Sequence, residues 1–124
     1  MKVMTNQETE AMIKLLLATG RTDPNSKDNN GWTPIMVAAE RGAEAVVKLL
    51  LATGRVDPDL KDNNGRTPLM VATKAGAEAV VKLLLETDRV DPDSKDNNGW
   101  TPLRIAAAAG AEAVIKLLLA TGRV

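Results

Sequence analysis

The sequence contains no cysteine, histidine, phenylalanine or tyrosine, and its only aromatic residues are Trp32 and Trp100. Without cysteine, disulfides, thiolate nucleophiles, zinc-thiolate sites and iron-sulfur ligation are excluded. Without histidine, the usual general base and the commonest metal ligand are missing too. The only serines, Ser26 and Ser94, therefore have no partner for a nucleophilic triad. Charge of one sign is also absent: sixteen basic residues balance sixteen acidic ones, so no net field draws nucleic acid, an anionic membrane or a polyacidic substrate. Long apolar runs are lacking, since "AVVKLLLA" is short and interrupted by Lys48, and "MKVMTNQE" is polar after one lysine. Neither a membrane span nor a signal peptide is expected, and the default location is cytoplasmic.

What remains is Leu, Val, Ala, Ile and Met, which suits a thin core of closely packed small elements better than a thick globular interior. These residues are ordered by a repeat. Blocks starting at Asp28, Asp62 and Asp96 align without gaps at an interval of 34 residues. They read "DNNGWTPIMVAAERGAEAVVKLLLATGRVDPDLK", "DNNGRTPLMVATKAGAEAVVKLLLETDRVDPDSK" and "DNNGWTPLRIAAAAGAEAVIKLLLATGRV". Residues 1–27 fit as the second half of an earlier block, residues 28–61 and 62–95 as complete ones, and 96–124 as one lacking its loop. Such a period marks a stacked array in which each unit buries its apolar faces against its neighbours.

Within a block, "NNG" signals a tight hairpin turn, since Asn and Gly tolerate positive φ. Thr33, Thr67 and Thr101 then read as helix N-caps, with Pro34, Pro68 and Pro102 at the first helical position, where a missing N–H costs little. Gly42, Gly76 and Gly110 stop that helix about two turns later. A second helix, "AEAVVKLLLAT", ends at Gly54 or Gly122; Asp88 replaces the glycine in the middle block and predicts a weaker helix end there. The Asp-Pro pairs at 23–24, 57–58 and 91–92 are expected where a strand faces solvent and where the linker needs stiffening. Thr5 to Glu8 reads as a capping box, with Met1, Val3 and Met4 folding over the stack.

The pattern "DNNGWTPLxxAAxxGxxxVVKLLLxxG" resembles the ankyrin repeat over essentially the whole chain. The resemblance implies an all-α solenoid of paired antiparallel helices with β-hairpin or turn loops, and a non-enzymatic scaffold that holds protein partners on the concave face formed by hairpin tips and first helices. Two histidines frequent in the family are replaced, one by Met36, Met70 and Arg104, the other by Ala43, Ala77 and Ala111. The near-identity of the blocks reads as consensus-derived or engineered, in which case no natural partner need exist; a recently duplicated natural array is the alternative.

The acidic loops invite a calcium reading, and register tests it. With Gly99 at the sixth position of an EF-hand loop, Ser94, Asp96 and Asn98 fall at the first, third and fifth, but the twelfth, where a bidentate Glu belongs, is Ile105. Its counterparts are Val37 and Val71, and the middle copy begins on Leu60. With Asp91 first instead, Lys95 falls fifth and Asp96 takes the glycine position. Turn chemistry is the better account: Asp96 and its equivalents accept backbone N–H groups in Asx-turns, with Asn98-Gly99 at the tip. No metal or cofactor is expected, and a metal-binding array ranks a distant third among the functions. Loop carboxylates lack apolar surroundings that would raise a pKa, so acid-base hydrolysis is not expected.

Comparing the blocks locates the positions that vary. Apart from aliphatic swaps these include Trp32/Arg66/Trp100, Met36/Met70/Arg104, Ala39/Thr73/Ala107, Glu40/Lys74/Ala108 and Arg41/Ala75/Ala109, with Ala52/Glu86/Ala120, Gly54/Asp88/Gly122 and Ser26/Leu60/Ser94 elsewhere. The expected partner-binding residues are Trp32, Met36, Glu40, Arg66, Met70, Lys74, Trp100 and Arg104. Trp and Arg dominate binding hot spots, and Arg66 sits where it can stack between the two rings. For the tryptophans a plain covering role stands level with this reading, and for Met36 and Met70 a core role is at least as good. The competing function is self-assembly, as a homodimer or higher, through uncapped end repeats that expose Leu and Val; otherwise the chain is expected to be a monomer.

Overall fold

The computed structural model describes residues 23–124. They form three helix pairs: α1 (Pro34–Arg41) with α2 (Glu44–Ala52), α3 (Pro68–Ala75) with α4 (Glu78–Leu85), and α5 (Pro102–Ala109) with α6 (Glu112–Ala120). First helices pack in a row, α1 on α3 and α3 on α5, while α2 packs on α4 and α4 on α6. This is an all-α solenoid, and no strand occurs among the described residues. The expected capping box at Thr5 to Glu8 and the folding-over of Met1, Val3 and Met4 lie outside them.

Each first helix starts and stops on the residues the sequence marks. Thr33, Thr67 and Thr101 hold extended backbone at the N-cap, with proline following. Thr67 Oγ1 accepts from Met70 N at 3.3 Å and Thr101 Oγ1 from Arg104 N at 3.3 Å, whereas the buried Thr33 hydroxyl finds no partner. Gly42, Gly76 and Gly110 adopt left-handed backbone (φ 65°, 68° and 66°). The next amide then reaches back five residues, Ala43 N to Ala38 O, Ala77 N to Ala72 O and Ala111 N to Ala106 O, each at 2.9 Å. That bond satisfies a carbonyl the helix end would otherwise leave unpaired. The glycine-less end behaves as expected: α4 has 8 residues where α2 and α6 have 9. Among the described residues no non-glycine residue takes positive φ, so Asp88 avoids the left-handed region that Gly54 and Gly122 use.

The core is thin. Alanines 38, 39, 72 and 106 let first helices approach closely, and Val46, Val47, Leu50, Val80, Val81, Leu84, Val114 and Leu118 fill the layer between the helix rows. Burying each large side chain is worth about 1.5–3 kcal/mol, so the stack is held mainly by contacts between neighbouring repeats. Pro24, Pro58 and Pro92 are buried, contrary to the expectation of a solvent-facing edge. Proline suits that place because, having no N–H, it leaves no donor stranded by burial.

In the last pair several apolar side chains are partly or largely exposed. Leu119 is 56 % exposed and Val124 38 %; Leu103, Ile105, Ile115 and Leu117 are half-buried. The expected exposure of Leu and Val on that outer face is thus present. No helix among the described residues is long and apolar enough to cross a membrane.

Candidate protein-binding face

The hairpin tips are built by their aspartates. Asp28 Oδ1 accepts from Asn30 N at 2.8 Å and Trp32 N at 2.9 Å; Asp62 and Asp96 repeat both bonds at the same distances with Asn64 and Arg66, and with Asn98 and Trp100. A backbone pair closes each turn, for example Asp28 N to Trp32 O at 3.0 Å and Gly31 N to Asp28 O at 2.9 Å. Only the glycine takes positive φ; Asn30, Asn64 and Asn98 do not. Among the described residues, no three carboxylates gather as metal ligands.

Successive tips are bonded to each other. Asn63 N donates to Asn30 O at 3.1 Å and Asn97 N to Asn64 O at 3.0 Å, while Asn63 Nδ2 reaches Asn29 O at 2.9 Å and Asn97 Nδ2 reaches Asn63 O at 3.1 Å. Lysines extend the ladder: Lys27 Nζ donates to Lys61 O and Lys61 Nζ to Lys95 O, each at 2.9 Å. A Cβ at Gly31 would stand 2.8 Å from Asn63 N, and one at Gly65 2.8 Å from Asn97 N. Glycine is therefore required there for close approach as well as for φ. At Gly99 nothing lies within 4 Å.

The three varying tip residues differ in what they touch. Trp32 packs against the core, and its Nε1 donates to Asp62 Oδ2 at 3.0 Å. The buried Asp62 carboxylate thus collects three N–H groups, as a buried anion requires. Trp100 instead carries the Arg104 guanidinium over its ring, 4.6 Å from the centroid. The cation on a ring is Arg104 from the same repeat, one helical turn on, rather than Arg66 between two tips: an i, i+4 neighbour reaches the ring locally.

An open trough of about 760 Å³ runs along this side. Trp32, Glu40, Arg66, Met70, Lys74 and Trp100 line it, so six of the eight expected residues come together. Arg104 is exposed and joins through Trp100. Met36 is fully buried (0 %) and belongs to the interior, where its flexible thioether fills the space. Met70, at 1 % exposure, is floor rather than surface. The trough also uses Val71, Ile105, Ala75, Ala108, Ala109, Asp96 and Asn98. Val71 and Ile105 escape a comparison of blocks that disregards aliphatic swaps, and Asp96 is masked by its turn role.

Behind the tips, one loop carboxylate departs from the expectation that none is perturbed. Asn25 accepts Asp57 N at 2.8 Å through Oδ1 and donates from Nδ2 to Arg55 O at 2.8 Å. Its counterpart Asp59 accepts Asp91 N at 3.3 Å through Oδ2, but its buried Oδ1 has no partner. Burial pushes the Asp59 carboxyl above the usual aspartate range, with the charges of Asp91 and Asp57 adding to it; the Asp91 N–H and the charge of Lys61 oppose it.

A search of curated proteins finds no match. The family sequence profile described as ankyrin repeats (3 copies) matches residues 1–96 and again 54–124, which together span the chain. Ankyrin repeats generally serve as protein-protein interaction modules and are typically not enzymes. The chain belongs to the ankyrin-repeat family.

Proposed function

We propose that the chain is a non-enzymatic scaffold that holds a protein partner in the concave trough. One observation carries the reading: positions that differ between otherwise near-identical repeats, Trp32, Glu40, Arg66, Lys74 and Trp100, converge on one continuous surface with Met70 as its floor. Residues that hold the stack repeat, and those free to serve recognition vary. Trp100 is the anchor, because its ring is half-exposed and pre-positioned by Arg104, which lowers the ordering cost of binding. Trp32 is partly structural.

The test is selection of displayed peptides on the immobilised protein, followed by titration of the winners against Trp100→Ala and, as a control on the outer face, Leu119→Ser. Loss of at least about tenfold in affinity with Trp100→Ala alone is the expected result for a hot-spot aromatic. Loss with Leu119→Ser and none with Trp100→Ala overturns it. The 56 % exposure of Leu119 favours a second reading, in which that outer face pairs with another copy of the chain. A strictly monomeric sedimentation profile at rising concentration removes it.

A further inference from the structure

We infer that the partner segment in this trough is acidic, presenting an apolar side chain between carboxylates; the inference rests on the concave-face reading above. Arg66 and Lys74 line the trough and Arg104 stands against Trp100. None of the three is in an ion pair with another described residue. On two of the three second helices the cation is paired, Lys48 with Glu44 at 3.3 Å and Lys116 with Glu112 at 3.7 Å, whereas Lys82 of α4 is not paired with Glu78.

Nor does the scaffold ask for these cations. The position of Arg66 is Trp in the other two blocks, that of Lys74 is Glu or Ala, and that of Arg104 is Met. Opposing negative charge in the trough is limited. Asp96 has one oxygen occupied by Asn98 N and Trp100 N, and Glu40 lies in the first of the three described repeats. The trough is therefore anionic at the Glu40 end and cationic in the next repeat through Arg66 and Lys74, while in the third the Arg104 charge over Trp100 stands against the Asp96 carboxylate. Met70, Ile105 and Ala108 provide the apolar floor. Exposed charges of this kind govern on-rate and partner choice more than raw affinity, and they act within about 10 Å at ordinary salt.

Trp32 and Trp100 are the only aromatic residues and both line the trough, so intrinsic fluorescence reports an occupant. The probes are three acetylated, amidated peptides with the same central leucine pair, flanked by glutamates, lysines or serines. At low ionic strength the glutamate peptide is expected to bind about tenfold more tightly than the lysine peptide, and the gap to shrink with added salt. Lys74→Glu should narrow or reverse that preference, and Glu40→Lys should widen it. Both variants exchange residues already accommodated at that position in another repeat, so folding is not at issue.

Equal binding of the charged peptides, or preference for lysine, overturns the inference while leaving the trough reading intact, because the emission change still reports an occupant. Emission unmoved by all three peptides also overturns the inference, and the Trp100→Ala titration of selected peptides then decides the trough reading separately.

Discussion

Asp59→Asn should stabilise the protein. In the native chain Asp59 presents a buried Oδ1 with no partner, at the place where Asn25, one repeat earlier, donates from Nδ2 to the Arg55 carbonyl at 2.8 Å. By the repeat, the corresponding acceptor is the Arg89 carbonyl, and an amide at residue 59 supplies the missing donor. The accepting bond from Asp91 N is kept, because the Asn side-chain oxygen replaces Oδ2. Leaving a buried polar atom unsatisfied costs about 1–3 kcal/mol, and Asp59 is only half-buried, so a gain of about 1 kcal/mol is expected. In thermal unfolding this is a rise of about 4 °C.

The pH dependence adds a second signature. Burial, helped by the charges of Asp91 and Asp57, raises the Asp59 pKa, so the folded protein holds the proton to higher pH than the unfolded chain does. Between the ordinary aspartate value and the raised one, the folded state binds more protons. Stability contributed by protonated Asp59 is fully present below that window and is lost as pH rises through it. The advantage of Asp59→Asn is therefore largest near neutral pH and shrinks on acidification, when a protonated Asp59 can itself donate. Calorimetry at pH 7 and at about pH 4 measures both. A variant less stable than the parent at pH 7, or an advantage that does not fall with pH, refutes the reasoning.

Three further outcomes are expected. Gly65→Ala should destabilise the protein by about 2 kcal/mol or more, since positive φ alone costs roughly 1 kcal/mol and its Cβ also meets Asn97; Gly99→Ala, with open space around it, should cost only the first term, and chemical denaturation compares them. Thr67→Val should cost about 1 kcal/mol through loss of its bond to Met70 N, whereas Thr33→Val should be neutral or stabilising because that hydroxyl has no partner. Trp32→Phe removes the bond to Asp62 Oδ2 and should cost about 1 kcal/mol while raising amide exchange at Asn64 and Arg66.

The helices, their caps and the stacking order were legible because each is set by local chemistry repeated three times: Thr-Pro opens a helix, Gly closes it, Asp holds a tip. The candidate face was legible in part. Comparing blocks isolates Trp32, Arg66, Lys74 and Trp100, since departures from a repeat stand out. Burial of Met36 is not legible because its position carries Met in two blocks and Arg104 in the third, and a solenoid side chain can point into the stack or across its face. The partner of a long side chain was equally out of reach. Trp32 and Trp100 occupy one position, yet the first reaches the next tip and the second meets a residue of its own repeat. Asp59 became informative only when its bonds were set beside those of Asn25. Burial of Pro24, Pro58 and Pro92 is not legible because a missing N–H suits an exposed edge and a buried loop alike.

The claim that function resides in the trough is tested most directly by amide chemical-shift mapping of the labelled protein with a selected peptide bound. Perturbations centred on Arg66, Met70, Lys74, Trp100 and Ile105 are the predicted result. Perturbations centred on the second helices, or around Leu119 and Val124, with these residues unmoved, would contradict it.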